Sequence, residues 1–289
     1  MSEFMQLIVN GLLLGGIYAV IAAGLTIIFG VMNVVNFAQG DFLMMAMYFT
    51  FFLNKFSGLD PYLSIVIVAI AFLFLGVLVE KTLITKVINE EHEKHILLTL
   101  GIALLLRSGA AVFFGPDYRG ITVPYRFKSY EIANVFISYP RLLSFLVAVF
   151  LMIVLWLFLT KTEFGRAMRA SAENRDSAEL MGINSERMFV AAFAIGTMFA
   201  AIGGVALMPF YYVFPEVGVY PGTLAFIVVV LGGLESVPGA VVGALFVGII
   251  ESLSGEYLDL ALSQFGVFII FILVLLFKPQ GLLGGEKIS

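Results

Sequence analysis

The sequence predicts an all-α fold, a polytopic transmembrane helix bundle of about 8–9 membrane segments that includes Gly/Pro-broken helices. Three observations carry this. Hydrophobic residues make up 61% of the 289 positions and charged residues only 12%, with a mean hydropathy of +1.05; a soluble domain holds about 45–50% apolar and about 25% charged residues. The apolar residues fall in runs close to the roughly 20 that span hydrocarbon as a helix. None of these runs alternates with the period of two expected of a membrane barrel, which leaves helices as the element that satisfies its own backbone in lipid.

The elements follow in chain order. Leu7 to Phe29 is the first apolar run, and the preceding residues lack the basic region of a cleaved signal peptide, so this run is expected to stay as a helix. Phe37 to Leu53 is the second, entered through Val31–Asp41, which is studded with Asn33, Asn36, Gln39 and Asp41. Pro61 to Glu80, Ile96 to Phe114, Leu142 to Thr160 and Met188 to Met208 follow. Gly222 to Leu253 is too long for one ordinary span and is interrupted by Gly232-Gly233-Leu234-Glu235-Ser236-Val237-Pro238-Gly239, a turn or unwound segment. Ser263 to Phe277 closes the series. The whole of residues 1–289 reads as one transmembrane domain, inserted in the cell membrane by several passes.

Loop charge orients the bundle. Lys81, Lys86, Lys94, Lys161, Arg166, Arg169, Arg175, Arg187, Lys278 and Lys287 collect on one side, against Lys55, Arg119, Arg126, Lys128 and Arg141 on the other. The positive-inside bias places the first set in the cytoplasm and the N-terminus on the far side. The outer Gly115–Arg141 segment reads as a short irregular cap. The cytoplasmic loop 161–187 carries five basic and five acidic residues. Its centre, Ser171 to Gly182, reads as a short helix stopped by Gly182, with Asn184 or Ser185 capping the next span. Ala172, Ala178, Leu180 and Met181 offer a small apolar face beside charges such as Glu173. That suits either a plain connector or a helix that docks a soluble partner.

Several chemistries are excluded. There is no cysteine, and the two histidines, His92 and His95, share one charged loop. The chain has no Gly-Lys-Ser/Thr phosphate loop and so no means of hydrolysing ATP itself. A net charge of −4 and a pI near 5.3 argue against a nucleic-acid partner. Ionisable residues inside spans are costly and face cavities or one another; here they are Asp41, Arg107, Glu235 and Glu251. Asn33, Asn36, Gln39, Gly40 and Asp41 bunch at one break and Glu235 sits in the other. Paired broken segments point to a transport path. Arg107 either pairs with a carboxylate or snorkels from a tilted helix.

With these residues in view, the sequence resembles the membrane permease subunits of ATP-binding-cassette importers for branched-chain amino acids, the shorter of the two paired permeases. Ordered matches run from Asn10-Gly11-Leu12 through Val35-Asn36-Phe37-Ala38-Gln39-Gly40-Asp41, Phe164-Gly165-Arg166-Ala167-Met168-Arg169-Ala170 and Leu180-Met181-Gly182-Ile183-Asn184. They end at Leu231–Ala240 and Lys278-Pro279-Gln280-Gly281-Leu282-Leu283-Gly284. Gln39 stands where that family commonly has histidine, and Glu235 where it has glycine. The resemblance implies a second permease subunit, two cytosolic ATP-binding subunits that hold the ATP, an extracytoplasmic solute-binding protein, and no cofactor in this chain. It also implies that ATPase coupling runs through the segment with Ala172, Glu173, Ala178, Leu180, Met181 and Gly182. An ion-coupled secondary transporter, and a permease for urea or short amides, are the alternative readings.

Overall fold

The computed structural model describes residues 2–88, 90–132, 134–257, 263–278 and 280–283. Pro279, Gly284 and Lys287, used above for motif and charge, lie outside them. The helices are α1 (Ser2–Met32), α2 (Gln39–Ser57), α3 (Pro61–Val79), α4 (His92–Phe114), α5 (Tyr139–Lys161), α6 (Glu163–Glu173), α7 (Arg175–Leu180), α8 (Ser185–Leu207), α9 (Val219–Gly232), α10 (Val237–Tyr257) and α11 (Ser263–Phe277). A π-helical turn, Glu80–Ile84, extends α3.

Among the described residues six helices are long and apolar enough to cross a membrane: α1, α3 with its π turn, α4, α5, α8 and α10. α9 and α11 are shorter apolar helices. α2 has the length but opens on Gln39-Gly40-Asp41. Among the described residues the nine expected segments are therefore six long apolar helices and three, α2, α9 and α11, that are shorter or open on polar residues.

α1 and α8 form the buried centre. Seen by exposure, α1 and α8 are largely enclosed, whereas α3, α4 and α5 present most of their apolar surface outward. α1 runs antiparallel to α10. A Cβ placed on Gly11 would lie 2.6 Å from the Ile249 Cα, and one on Gly15 would lie 2.8 Å from the Ala244 carbonyl oxygen. The small residues thus allow backbone-to-backbone packing, the main source of helix association where lipid removes the hydrophobic drive. Gly76 lets α3 approach α8 at Ala194 in the same way.

The N-terminal end of α1 is tied to the outer segment through Gln6, whose amide donates to the Phe136 carbonyl (2.7 Å) and whose carbonyl accepts from the Phe136 N–H (2.6 Å). The N-terminus and Gly115–Arg141 therefore share one end of the bundle, opposite the basic end. That outer segment is more regular than an irregular cap. It holds an antiparallel hairpin, β1 (Ser129–Ile132) and β2 (Val135–Ser138), in register Ser129 with Ser138. Tyr125 donates to Asp60 (2.6 Å), the residue whose other carboxylate oxygen caps α3 at the Tyr62 N–H. Burial, then the Asp60 carboxylate, push the Tyr125 phenol well above its ordinary pKa, so it stays a donor. At the basic end, His92 and His95 open α4 instead of lying in a loop, and His95 is buried.

Candidate functional site

The site is built where the chain stops being helical. α1 ends at Met32, and Asn33 takes a left-handed conformation (φ 54°). Residues 33–38 then run back into the bundle. The Asn36 carbonyl accepts from the Ala38 N–H (3.1 Å), while its amide donates to the Gln39 side-chain carbonyl (3.1 Å). This is the local turn chemistry that lets asparagine compete with helical hydrogen bonding. The Gln39 amide in turn donates to the carbonyls of Ile21 (3.3 Å) and Gly196 (3.1 Å). Gly196 is the middle residue of α8. α2 therefore begins halfway through the bundle and runs to the outer end.

α9 begins at the same place and runs the other way. A Cβ on Gly40 would sit 2.0 Å from the Gly218 carbonyl oxygen, and one on Gly218 would sit 2.0 Å from that of Gly40. No side chain fits either position without parting the two helices. Tyr220, in the first turn of α9, donates to Glu251 of α10 (2.7 Å), which holds this start in place. Both N-termini, each the positive end of a helix dipole, thus meet near mid-depth.

Around that meeting lies a cavity of about 230 Å³. Its polar lining includes Asn36, Asp41, Arg107 and Thr223; its apolar walls include Phe37, Leu100 and Phe226. Phe37 stacks on Phe226, with centroids 6.1 Å apart. Asp41 is almost wholly buried and accepts two hydrogen bonds from Arg107, from Nε (3.1 Å) and Nη2 (3.2 Å). That answers the open question over Arg107: it pairs with a carboxylate 66 positions away. A two-pronged guanidinium–carboxylate contact is among the strongest polar pairings. Phe37, Leu100, Val219 and Thr223 are exposed at the rim, so the cavity opens between α4 and α9.

The predicted path residues separate. Asn36, Gly40 and Asp41 line the cavity. Gln39 is buried beside it as a clamp between α1, α2 and α8. Asn33 is exposed at the basic end, and Glu235 is exposed in the turn between α9 and α10, near Gly30 of α1. Gly218, Thr223 and Phe226 were missed. Their signal was present in Gly218-Val219-Tyr220-Pro221-Gly222, a breaker cluster ahead of an apolar run.

The cytoplasmic segment differs from the single helix expected over Ser171–Gly182. It is two helices, α6 and α7, meeting at Asn174, which is extended (φ −157°) and whose side chain caps α7 by accepting from the Ser177 N–H (2.8 Å). Thr162 caps α6 at the Gly165 N–H (2.9 Å), and Asn184 caps α8 at the Arg187 N–H (2.9 Å). The expected apolar face is also split. Ala178 is buried, with its carbonyl accepting from the Ile183 N–H, so it packs inward; Leu180 and Met181 are 88% and 83% exposed. Ala172 is half-buried and Glu173 exposed. Arg175 bonds Glu179 (3.1 Å), holding that carboxyl below its ordinary pKa, and lies 5.1 Å from the Phe189 ring of α8. Gly182 has φ +85° with open space around its α-carbon.

Comparison of the sequence with known proteins shows its family. A family profile described as branched-chain amino acid transport system / permease component matches residues 7–277. The high-affinity branched-chain amino acid transport system permease protein LivH of Salmonella typhimurium is 32% identical over 304 residues, covering 99% of this chain and 97% of that protein. LivH of Escherichia coli K12 is 31% identical over the same shares. The corresponding protein BraD of Pseudomonas aeruginosa is 32% identical over 305 residues, 99% and 98%. No solved structure was found to match.

Proposed function

This chain belongs to the family of permease components of branched-chain amino acid transport systems, and we propose that it forms the translocation path of an ATP-driven importer for branched-chain or related small amino acids. It is a multi-pass protein of the cell membrane. The observation that carries the reading is the pair of opposed half-helices, α2 and α9, starting together over a cavity with charged and apolar walls. Non-helical backbone at membrane depth survives only where protein or a water-filled route surrounds it.

The remaining parts are supplied by other chains. ATP is bound and hydrolysed by two cytosolic subunits, a second permease completes the pore, and an extracytoplasmic binding protein delivers the solute. α6 and α7 transmit the ATPase motion. The support for this is their position at the basic end, the exposed Leu180–Met181 pair, and the anchoring of α7 to α8 through Arg175 and Phe189. ATP binding closes the ATPase pair and shifts these helices; α8 carries the shift to Gly196 and hence to the start of α2.

The test is reconstitution of the chain in proteoliposomes, alone and with its co-purifying subunits. Uptake of leucine, isoleucine or valine that requires all chains and ATP supports the reading. Ion-driven uptake by the chain alone would replace it with a secondary transporter. ATP-driven uptake of urea or acetamide but not of leucine would change the solute.

A further inference from the structure

We infer that the Asp41–Arg107 pair is a head-group site for a zwitterion, with Asp41 taking the ammonium and Arg107 the carboxylate of an amino acid held in the cavity. The inference rests on the amino-acid importer reading above and extends it to particular atoms.

An amino acid leaving water for the middle of a membrane must exchange the hydration of two opposite charges for protein groups. The cavity holds one charge of each sign. Arg107 reaches Asp41 with Nε and Nη2 only, and among the described residues it makes no other hydrogen bond, so Nη1 remains for a ligand. The Arg107 side chain is 30% exposed, whereas that of Asp41 is 2% exposed. The accessible partner is thus the cation, placed to meet a carboxylate first. The two helix starts at Gly40 and Gly218 add positive potential at the same place. Displaced toward the ligand, Arg107 frees the Asp41 oxygens to receive the ammonium, and the net charge of the site does not change. The remainder of the lining suits the rest of such a solute. Phe37, Leu100, Ala103 and Phe226 form apolar walls, and about 230 Å³ gives room for about seven or eight water-sized groups at about 30 Å³ each, the scale of a small amino acid.

A pair that only locks α2 to α4 would look similar, but it behaves differently when made neutral. Apolar replacement of a buried ion pair is often neutral or stabilising for the fold. The experiment uses the full transporter, with its ATPases and binding protein, in proteoliposomes. Two double variants are compared with wild type: Asp41→Leu with Arg107→Met, and Asp41→Asn with Arg107→Gln. Expected are normal assembly and basal ATP hydrolysis, with leucine uptake lowered about 100-fold or more through loss of two charge-assisted contacts. Uptake within threefold of wild type by either assembled variant overturns the head-group site and leaves the importer reading intact. Failure of both to assemble assigns the pair to the fold and overturns the site as well. Absence of ATP-driven amino-acid uptake by the wild-type complex overturns the importer reading itself.

Discussion

Gln39 and Gly196 are joined by a hydrogen bond of 3.1 Å, from the side-chain amide of the first to the backbone carbonyl of the second. Gly196 is the midpoint of α8 and Gln39 is the first residue of α2. One amide therefore fixes the depth at which α2 begins, and a second bond to Ile21 fixes it against α1 as well. Removing the donor through Gln39→Leu is expected to cost about 1–3 kcal/mol. Gln39→Glu should cost more, because a carboxylate would face two carbonyl oxygens. Gln39→His keeps one N–H and should be milder. Thermal midpoints of the detergent-purified chain check the order; equal midpoints for all three variants would refute the clamp.

The Gly40–Gly218 contact gives a steric test. Gly40→Ala and Gly218→Ala each place a methyl 2.0 Å from a backbone oxygen, so the two helix starts must separate. Each is expected to cost about 1–3 kcal/mol, in the range of overpacking, and to abolish uptake. Gly101→Ala, which meets nothing within 4 Å, is the control and should transport normally.

Because the chain has no native cysteine, accessibility is directly readable. Cysteines replacing Asn36 or Thr223, both in the cavity lining, should react with water-soluble thiol reagents in the assembled transporter. One replacing Ala200, wholly buried in α8, should not. The reverse pattern would move the route elsewhere.

The cytoplasmic helices separate docking from folding. Leu180→Ser with Met181→Ser alters only exposed side chains, so the chain should insert and remain stable while ATP-coupled uptake falls by about tenfold or more, the loss of about 1.4 kcal/mol of docking. Ala178→Glu forces a charge into a buried position and should lower stability itself. At Gly182 the cost is conformational: Gly182→Asn tolerates the left-handed backbone better than Gly182→Val, which should cost about 1–3 kcal/mol. Pull-down of the ATPase and thermal midpoints, read together, distinguish the three. Full binding and uptake by the Leu180/Met181 variant would exclude this surface from coupling.

The parts of the fold that were legible in the sequence are those written in single residues. Asn33, Asn36, Gly40 and Asp41 marked one break; Gly232, Gly233 and Pro238 marked the other. Span lengths followed from apolar runs. What could not be read was depth. Nothing local says that residues 33–38 turn back to the middle of α8, because that is set by the Gln39–Gly196 bond across 157 positions. The Asp41–Arg107 pairing is hidden for the same reason. The single helix expected at Ser171–Gly182 failed on Asn174, a polar residue among helix formers whose capping role shows only once the chain bends there. The hairpin was obscured because Tyr130, Ile132 and Phe136 are exposed while Val135 is buried, so outward positions are as apolar as the inward one and no alternation shows.

The lengths of α2 and α9 have a consequence for the barrier itself. At about 1.5 Å per residue, their 19 and 14 residues measure about 28 and about 21 Å, each leading from the shared start to an opposite face. On the path proposed above, the septum that a solute has to pass is then no thicker than the gap between two helix ends. A sealed membrane can be opened on either side by displacements the size of one side chain, without any helix travelling the width of the bilayer. Such a septum is also fragile. Whatever separates Gly40 from Gly218 outside the working cycle is a leak.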